Sequence, residues 1–361
     1  MTTTAVLNPT LYQRLVSTFK HVRIAHQGEN QIRRIVRNLT TNKLEVALVQ
    51  AGETYKICCP FCSDTRFRCN INYMYGQKNE LGQDMKHLAH CFNAGCPLSI
   101  HEREAYNQLF DILTANKIKD LSKVSVREGK TIDVDTIRAN WPGKVVRIDE
   151  LPDDHEACVY LRDERHFNVS ILAKSYDVRW CFESDKKLCT DRLIIPIYRN
   201  KTMVGWQARP AFDIDWSTVN YPKYYTAPGT PKNHILYNLD NARKYKTGII
   251  VEGVTDVWRI GANAVCTLGA SLSKAQQDLF VENFKDHSGV LLYDPDLPEK
   301  APKLWSSLLQ VTQKLNNRLA GGFCQLCLPS GTDPASFSRS RKELRSYIQQ
   351  HATVNVEWSK R

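Results

Sequence analysis

Residues 248–265 read GIIVEGVTDVWRIGANAV. The apolar run Ile249, Ile250, Val251 delivers Glu252 straight into Gly253, and Asp256 follows where a helix should begin. A short apolar run bounded by glycine reads as a buried strand. A buried strand that ends on a carboxylate needs a reason, because an unpaired charge is costly away from water. The pattern recurs. GVLLYDPD, residues 289–296, ends on Asp294 and Asp296, and FCQLCLPSGTDP, residues 323–334, leads into Asp333.

Strand and helix signals alternate over residues 248–335, which predicts a parallel α/β sheet. Such sheets bind ligands beyond the carboxyl ends of their strands. Glu252, Asp294, Asp296 and Asp333 are therefore expected at one edge, although they span 81 residues. Four carboxylates together repel one another unless cations neutralise them, and hard oxygen donors suit Mg²⁺ or Mn²⁺. Two such ions can clamp the attacking and leaving oxygens of a phosphoryl displacement. Gly253 lets the backbone turn sharply behind Glu252. Asp256 near a helix start also favours the helix dipole. Taken singly, Asp256 reads as a helix-start residue and Asp333 as a turn residue before Pro334. The recurrence at three apolar strands is what points to metal.

The whole chain sets the frame. Its 361 residues suit two or three domains, and 42% hydrophobic with 24% charged content is ordinary for a folded protein. No apolar run approaches the ~18 residues that a membrane span needs. The start, MTTTAVLNPTLYQRL, lacks the basic and apolar regions of a secretory signal. A cytoplasmic protein without a membrane partner is expected. Lys and Arg number 49 against 38 Asp and Glu, a formal charge of +11. That surplus favours a polyanion, nucleic acid first among them, although a merely basic enzyme shares it.

Six segments are expected: a helical, basic segment over 1–50, a cysteine module over 51–105, and a linker over 106–155. A mixed α+β region follows over 156–245, the parallel-sheet region over 246–335, and a basic helix and tail over 336–361.

Six of the twelve cysteines fall between residues 55 and 100. Cys59 and Cys62 form a C-P-x-C knuckle, and Cys91 and Cys96 form a second pair. Two knuckles on adjacent hairpin turns make a tetrahedral Cys₄ zinc site. Zinc would also fasten a module too small to fold well alone. Cys58 can replace Cys59, and His90 is an alternative beside Cys91. Cys69 reads as hairpin core, and Cys158, Cys181, Cys189, Cys266, Cys324 and Cys327 as core elsewhere. Arg66, Arg68, Asn70, Asn72, Tyr73 and Tyr75 alternate along an expected strand. Arginine pairs with guanine edges and tyrosine stacks on unpaired bases. Tyr73 and Tyr75 serve equally well to cover the hairpin. Further on, Arg192, Arg209 and Lys223 flank apolar strands. They suit template phosphates or a triphosphate, though each alone reads as a solvated charge.

VEGVTDV, LGASLSKAQ, YDPD and LPSGTDP together resemble the Toprim domain of DnaG-type primases and type IA topoisomerases. Their order and spacing are nearer the primases. The resemblance implies that Glu252, Asp294 and Asp296 hold catalytic Mg²⁺ or Mn²⁺, with Asp256 and Asp333 supporting. The chain departs from the pattern at Pro295, where glycine is usual, in LPEK after the aspartates, and at Ala335, where an acid is common. Upstream, Arg192, Gly205, Arg209, Pro222, Lys223, Tyr224, Leu236 and Tyr237 match the N-terminal subdomain of primase cores. Lys232 occupies a further basic position there. Pro60 and the HCFNAGC run match the primase zinc ribbon, which implies Cys59, Cys62, Cys91 and Cys96 as zinc ligands. The resemblance covers about residues 156–335 plus the cysteine module.

The fold so implied is an α/β multi-domain chain: a zinc ribbon, then a primase core with a mixed subdomain and a parallel-sheet Toprim domain. The implied activity is synthesis of short RNA primers on single-stranded DNA from ribonucleoside triphosphates. A replicative helicase is the implied partner, and the length implies a stand-alone enzyme of phage type. Arg66, Arg68 and Tyr73 would then contact DNA from the zinc module. A Toprim nuclease and a non-catalytic zinc-plus-Toprim repair protein are the alternatives. The zinc-plus-Toprim mediators lack the arginine and lysine pattern of residues 192–237, which favours polymerisation.

Overall fold

The computed structural model describes residues 5–37, 44–62, 64–93, 96–99, 101–114, 133–186, 188–214, 219, 222–293, 297–335, 337 and 340–360. The chain divides into two compact units. One comprises Met1–Ile132 with Asp213–Lys223, the other Asp133–Phe212 with Tyr224–Arg361. No helix among the described residues is long and apolar enough to cross a membrane.

The first unit opens with helix α1 (Pro9–Phe19). Pro9 stands at its first position, and the Asn8 side chain accepts the Leu11 N–H at 3.0 Å. Strands β1 (Arg23–Ala25), β2 (Gln31–Arg37), β3 (Leu44–Gln50), β4 (Thr54–Ile57), β5 (Cys69–Asn72) and β6 (Ala89–Cys91) follow, then α2 (Arg103–Thr114). The order β1-β4-β5-β6 makes one antiparallel sheet, and β2 pairs with β3 in a separate ribbon. Leu11, Leu15, Tyr55, Ile57, Ile71 and Leu109 share the core.

The helical expectation for residues 1–50 is thereby corrected: the helix stops at Phe19, and strands occupy much of the rest. Ile32 and Ile35 are three apart and imitate a helical stripe. They instead face Val49 and Val46 across the ribbon, the cross-strand packing that β-branched residues favour. The buried Glu53 pins the ribbon's base. Its carboxylate accepts the N–H of Leu7 at 2.9 Å, the N–H of Gly28 at 2.8 Å and the Tyr55 hydroxyl at 2.5 Å. Gly52 beside it has no alternative, since a Cβ there would lie 1.8 Å from the Glu29 carbonyl oxygen.

The second unit begins with β7 (Lys144–Arg147), α3 (Glu156–Val159), which runs into a π turn, and α4 (Val169–Tyr176). Strands β8 (Arg179–Glu183), β9 (Arg192–Arg199), β10 (Thr202–Arg209) and β11 (Tyr225–Thr226) join β7 in an antiparallel sheet ordered β11-β10-β9-β8-β7. Asn200 and Lys201 close β9 to β10 with φ of 49° and 63°, as a two-residue hairpin turn demands. The Asp240 carboxylate accepts both their N–H groups, at 3.0 and 2.7 Å. After α5 (Leu239–Ala242) come β12 (Thr247–Val251), α6 (Val254–Ile260), β13 (Ala264–Cys266) and α7 (Lys274–Phe284). Then follow β14 (Ser288–Tyr293), α8 (Leu297–Lys300), α9 (Pro302–Asn316), β15 (Phe323–Cys327) and α10 (Arg341–His351).

Strands β13-β12-β14-β15 form a four-stranded sheet, all parallel. Its two central strands are buried along their whole length, as expected where both faces are covered. Ile250 and Leu291 pack with Phe280 and Phe284 on one face. Ile249, Val251 and Val290 join Trp258 on the other, in a core that also takes Leu193, Ile195 and Ile197 from the antiparallel sheet. The expected α/β fold class is what the structure shows: a four-cysteine module, a mixed subdomain and a parallel sheet.

The basic tail is part of this core. Leu344 and Ile348 of α10 are fully buried. Arg341 donates to the carbonyls of Trp258 at 3.0 Å and Arg259 at 3.2 Å, and Arg345 to that of Ile260 at 3.0 Å. Two cations thus satisfy the last carbonyls of α6, where the helix dipole is negative. Beyond α10, Glu357 accepts a salt bridge from Lys246 at 2.9 Å and donates its N–H to Thr247 at 2.8 Å. Ser288 donates to the Asn355 carbonyl at 2.6 Å. The tail therefore seals the starts of β12 and β14. Leu344→Ala should lower stability by about 2–5 kcal/mol. Denaturant unfolding followed by tryptophan fluorescence measures it, and an unchanged midpoint would contradict this packing.

Candidate metal centre and acidic strand edge

The first site lies in the cysteine module. The Sγ atoms of Cys59, Cys62, Cys91 and Cys96 all lie within 4.8 Å of one another. Cys59 and Cys96 are 3.5 Å apart, and Cys62 and Cys91 3.8 Å. A tetrahedron with Zn–S bonds of about 2.3 Å has edges of about 3.8 Å. The thiols present therefore fit zinc in number, chemistry and spacing. Hydrogen bonds within the set, that to Cys59 first, hold the Cys62 thiol well below its usual range. Neither Cys58 nor His90 joins the set: the His90 ring sits against Phe92, with centroids 4.7 Å apart. Cys69 is buried in the module's core.

Two residues outside the expected set shape this site. Asp64 is buried, and its carboxylate accepts the N–H groups of Cys59 at 3.2 Å, Arg66 at 2.9 Å and Arg68 at 2.8 Å. It folds the knuckle that presents Cys59 and Cys62. The Asn93 side-chain amide donates to Cys62 Sγ at 3.2 Å, and its N–H to Cys91 Sγ at 3.5 Å. Such donors are preorganised for thiolates. An S-D-T run after a cysteine pair carries a turn signal that could have revealed Asp64. Asn93 had no such signal.

The residues expected to touch DNA from this module are placed differently from one another. Arg66 is exposed. Arg68 is half-buried, and its guanidinium donates to the Asn93 side-chain oxygen. Strand β5 spans only Cys69–Asn72, so Arg66 and Arg68 precede it and Tyr73 and Tyr75 follow it. Tyr73 is half-buried against the core and Tyr75 is buried within it.

The second site lies at the carboxyl edge of the parallel sheet. Glu252 is the first residue after β12 and is half-buried. Gly253 leads into α6, where Asp256 stands in the first turn at 7% exposure. The Asp256 Oδ2 atom accepts the Gly253 N–H at 3.0 Å, which bends the chain tightly behind Glu252. Both carboxylates act on one neighbour, Cys266 at the end of the adjoining strand β13. Burial raises that thiol's pKa, and the charges of Asp256 and Glu252 raise it further.

Arg209, at the end of β10, is 1% exposed. It donates to Tyr224 at 2.7 Å and to Tyr160 at 2.7 Å. Burial pushes the Tyr224 phenol up against the pull of Arg209, a hydrogen bond with Thr255 also lowers it, and the Asp256 charge raises it. A chain of polar contacts thus runs from the antiparallel sheet through Tyr224 to the start of α6. Gly205 on the same strand has no room for a side chain, since a Cβ there would meet Thr230 at 2.3 Å. That closeness, with the pairing of Tyr225 and Thr226, lays residues 225–230 against β10.

Arg192 does not share the place of Arg209. The ladder sets Arg209 opposite Leu193 and Ala208 opposite Ile194, so Arg192 lies on the other face of the sheet. It is fully buried and donates to the Ala208 carbonyl at 3.3 Å. Lys232 sits on a 3₁₀ turn, and burial pushes its ammonium pKa down. Gln276 fixes that turn by donating to the carbonyls of Lys232 at 2.9 Å, Ile235 at 3.0 Å and Thr267 at 3.1 Å. Lys223 is exposed and belongs to the segment grouped with the first unit. Asp333 lies on the loop after β15, and its charge acts on Arg259 of α6. Arg259 in turn donates to the carbonyls of Ala335 at 3.2 Å and Arg165 at 2.7 Å.

Asp294, Pro295 and Asp296 lie outside the described residues. Strand β14 ends at Tyr293 and is the parallel neighbour of β12. Among the described residues, the four cysteines are the one group of three or more candidate ligands gathered closely enough for a metal. The oxygen donors of Glu252 and Asp256 fit a hard divalent cation in kind.

No protein-family model matches the sequence, and no curated protein does. Among solved structures, the neighbours are DnaG primase catalytic cores. The Escherichia coli primase catalytic core is 19% identical, with a TM-score of 0.46 over 58% of this chain and 76% of that one. The RNA polymerase domain of Mycobacterium tuberculosis primase DnaG is 21% identical, at 0.45 over 56% and 78%. The zinc-binding and RNA polymerase domains of the Aquifex aeolicus primase are 20% identical, at 0.41 over 86% and 82%. With TM-scores below 0.5, the residues described above must carry the functional assignment.

Asn93→Ala should weaken zinc retention roughly 10–100-fold. Competition with a chromogenic chelator measures it, and Cys59→Ser should lose the ion altogether. Full zinc stoichiometry in Cys59→Ser would contradict the ligand set.

Proposed function

We propose that this protein is a template-directed primase that joins ribonucleotides on single-stranded DNA. The observation that carries the reading is the juxtaposition at the start of α6. Glu252 and Asp256 leave the parallel sheet there, and Tyr224 brings Arg209 to the same turn. Acids and a buried, doubly anchored guanidinium suit a substrate that carries both metal ions and phosphate.

In this reading Glu252, Asp294 and Asp296 hold Mg²⁺ or Mn²⁺, with Asp256 and Asp333 supporting. Divalent ions there would supply charge neutralisation for phosphoryl transfer. The primer 3′-hydroxyl attacks the α-phosphorus of the incoming nucleotide, the α–β bridging bond breaks, and pyrophosphate leaves. Arg209, held by Tyr160 and Tyr224, would orient a phosphate without losing rotamer freedom at the moment of reaction. Lys232 and Lys223 would contact the triphosphate or the template. The full burial of Arg192 beneath the other sheet face favours a structural role for it over direct contact. The zinc-bound module would engage the template, with Arg66 exposed for phosphate and Arg68 bracing Asn93. A replicative helicase would be the partner.

Incubation with single-stranded DNA, four ribonucleotides and Mg²⁺ tests this. Labelled oligoribonucleotides are expected. Shortened DNA would mean a nuclease, and no product a binding protein. Asp294→Ala should reduce synthesis to background and leave DNA binding near the parent's or tighter, because a negative charge beside phosphate is gone. Arg209→Lys should lower synthesis about 10–100-fold, for the loss of one charge-assisted contact of about 1.5–3 kcal/mol. Primer yield from purified variants reads both, and retained synthesis in Asp294→Ala would count against the metal assignment.

A further inference from the structure

Strands β1 and β4 pair directly, Arg23 with Lys56 and Ala25 with Thr54. The described chain between them carries the β2–β3 ribbon, which joins none of the three larger sheets. Its register sets Arg33 opposite Leu48 and Arg34 opposite Ala47. Paired residues share a face, so the two arginines lie on opposite faces. Both are exposed, and neither guanidinium has a hydrogen-bond or ion-pair partner among the described residues. Leu48 is 66% exposed and Val46 41%, on the face that carries Arg33. Residues 31–50 hold four basic side chains against one acid, Glu45.

Exposed aliphatics beside unpaired arginines are an unfavourable surface to leave in water. The charge selects a polyanion, and arginines on both faces suit a flexible backbone that can wrap rather than a flat protein surface. The aliphatic face suits unstacked bases, which a duplex does not offer. We propose that the β2–β3 ribbon is a second contact for single-stranded DNA, with Arg33 and Arg34 on phosphates and Val46 and Leu48 against bases. The identity of that strand as a priming template rests on the primase reading, but the contact itself does not.

The test uses the zinc-loaded full chain and a fluorescent single-stranded oligonucleotide, with anisotropy read from about 50 to 200 mM salt. In Arg33→Ser/Arg34→Ser the plot of log affinity against log salt should be shallower by about 1.4, or about 0.7 per released phosphate contact. Leu48→Ser, a change at an exposed position, should weaken binding without altering the slope. A parental slope in the arginine variant overturns the proposal and leaves the ribbon to a protein partner. So does a loss confined to a duplex probe. Priming by the parent, read in parallel, separates the two questions. A parent that primes while the arginine variant keeps its slope sinks the ribbon contact alone. A parent that binds strand but never primes, with a shallower slope in the variant, sinks the primase reading alone.

Discussion

Negative charge gathered at one sheet edge is the constraint on which the rest of the second unit depends. Glu252 and Asp256 leave β12 within one turn, and both raise the pKa of the same buried thiol, Cys266. Carboxylates so placed need compensation, and the surrounding residues supply part of it. The Gly253 N–H binds Asp256, the start of α6 presents its positive end, and Arg209 approaches through Tyr224. Farther along α6, Arg259 answers Asp333, and Arg341 and Arg345 close the helix's negative end. One short helix thus has cationic or N–H partners at its acidic start and guanidinium partners at its carbonyl end. Divalent cations would complete the balance at the first of these.

The zinc-type cluster answers a different shortage. The first unit has a small core, and its β4–β5–β6 sheet is short. Four thiols at tetrahedral spacing tie the two knuckles together, and Asp64 and Asn93 hold those knuckles in shape. Metal binding and folding should therefore be coupled in this module.

Much of this was legible in the residues. The apolar runs of β12 and β14 declare a parallel sheet because both their faces are buried and no alternation interrupts them. The cysteine spacing declared the cluster because few other uses of that spacing exist in a reduced chain. Three features were not legible, each for a physical reason. The ribbon of residues 31–50 was hidden by Ile32 and Ile35, whose spacing suits a helix as well as a strand. Arg192 and Arg209 both flank apolar strands in the sequence, but strand register sends them to opposite faces, and register depends on partners far away in sequence. The tail reads only as a basic helix, and nothing in its pattern shows that Arg341 and Arg345 spend their donors on α6 carbonyls. Amphipathic pattern alone cannot tell an arginine facing solvent from one capping a distant helix.

The Tyr160–Arg209–Tyr224 arrangement joins residues from three separate segments, with Tyr160 lying 49 positions before Arg209. It couples the mixed subdomain to the acidic edge. Manganese binding, read by electron paramagnetic resonance on the zinc-loaded protein, tests the acidic edge most directly. Saturable Mn²⁺ binding that disappears in Glu252→Gln and in Asp296→Asn is the predicted result. Binding that is absent from the parent, or unchanged in both variants, would contradict a cation site built from these acids.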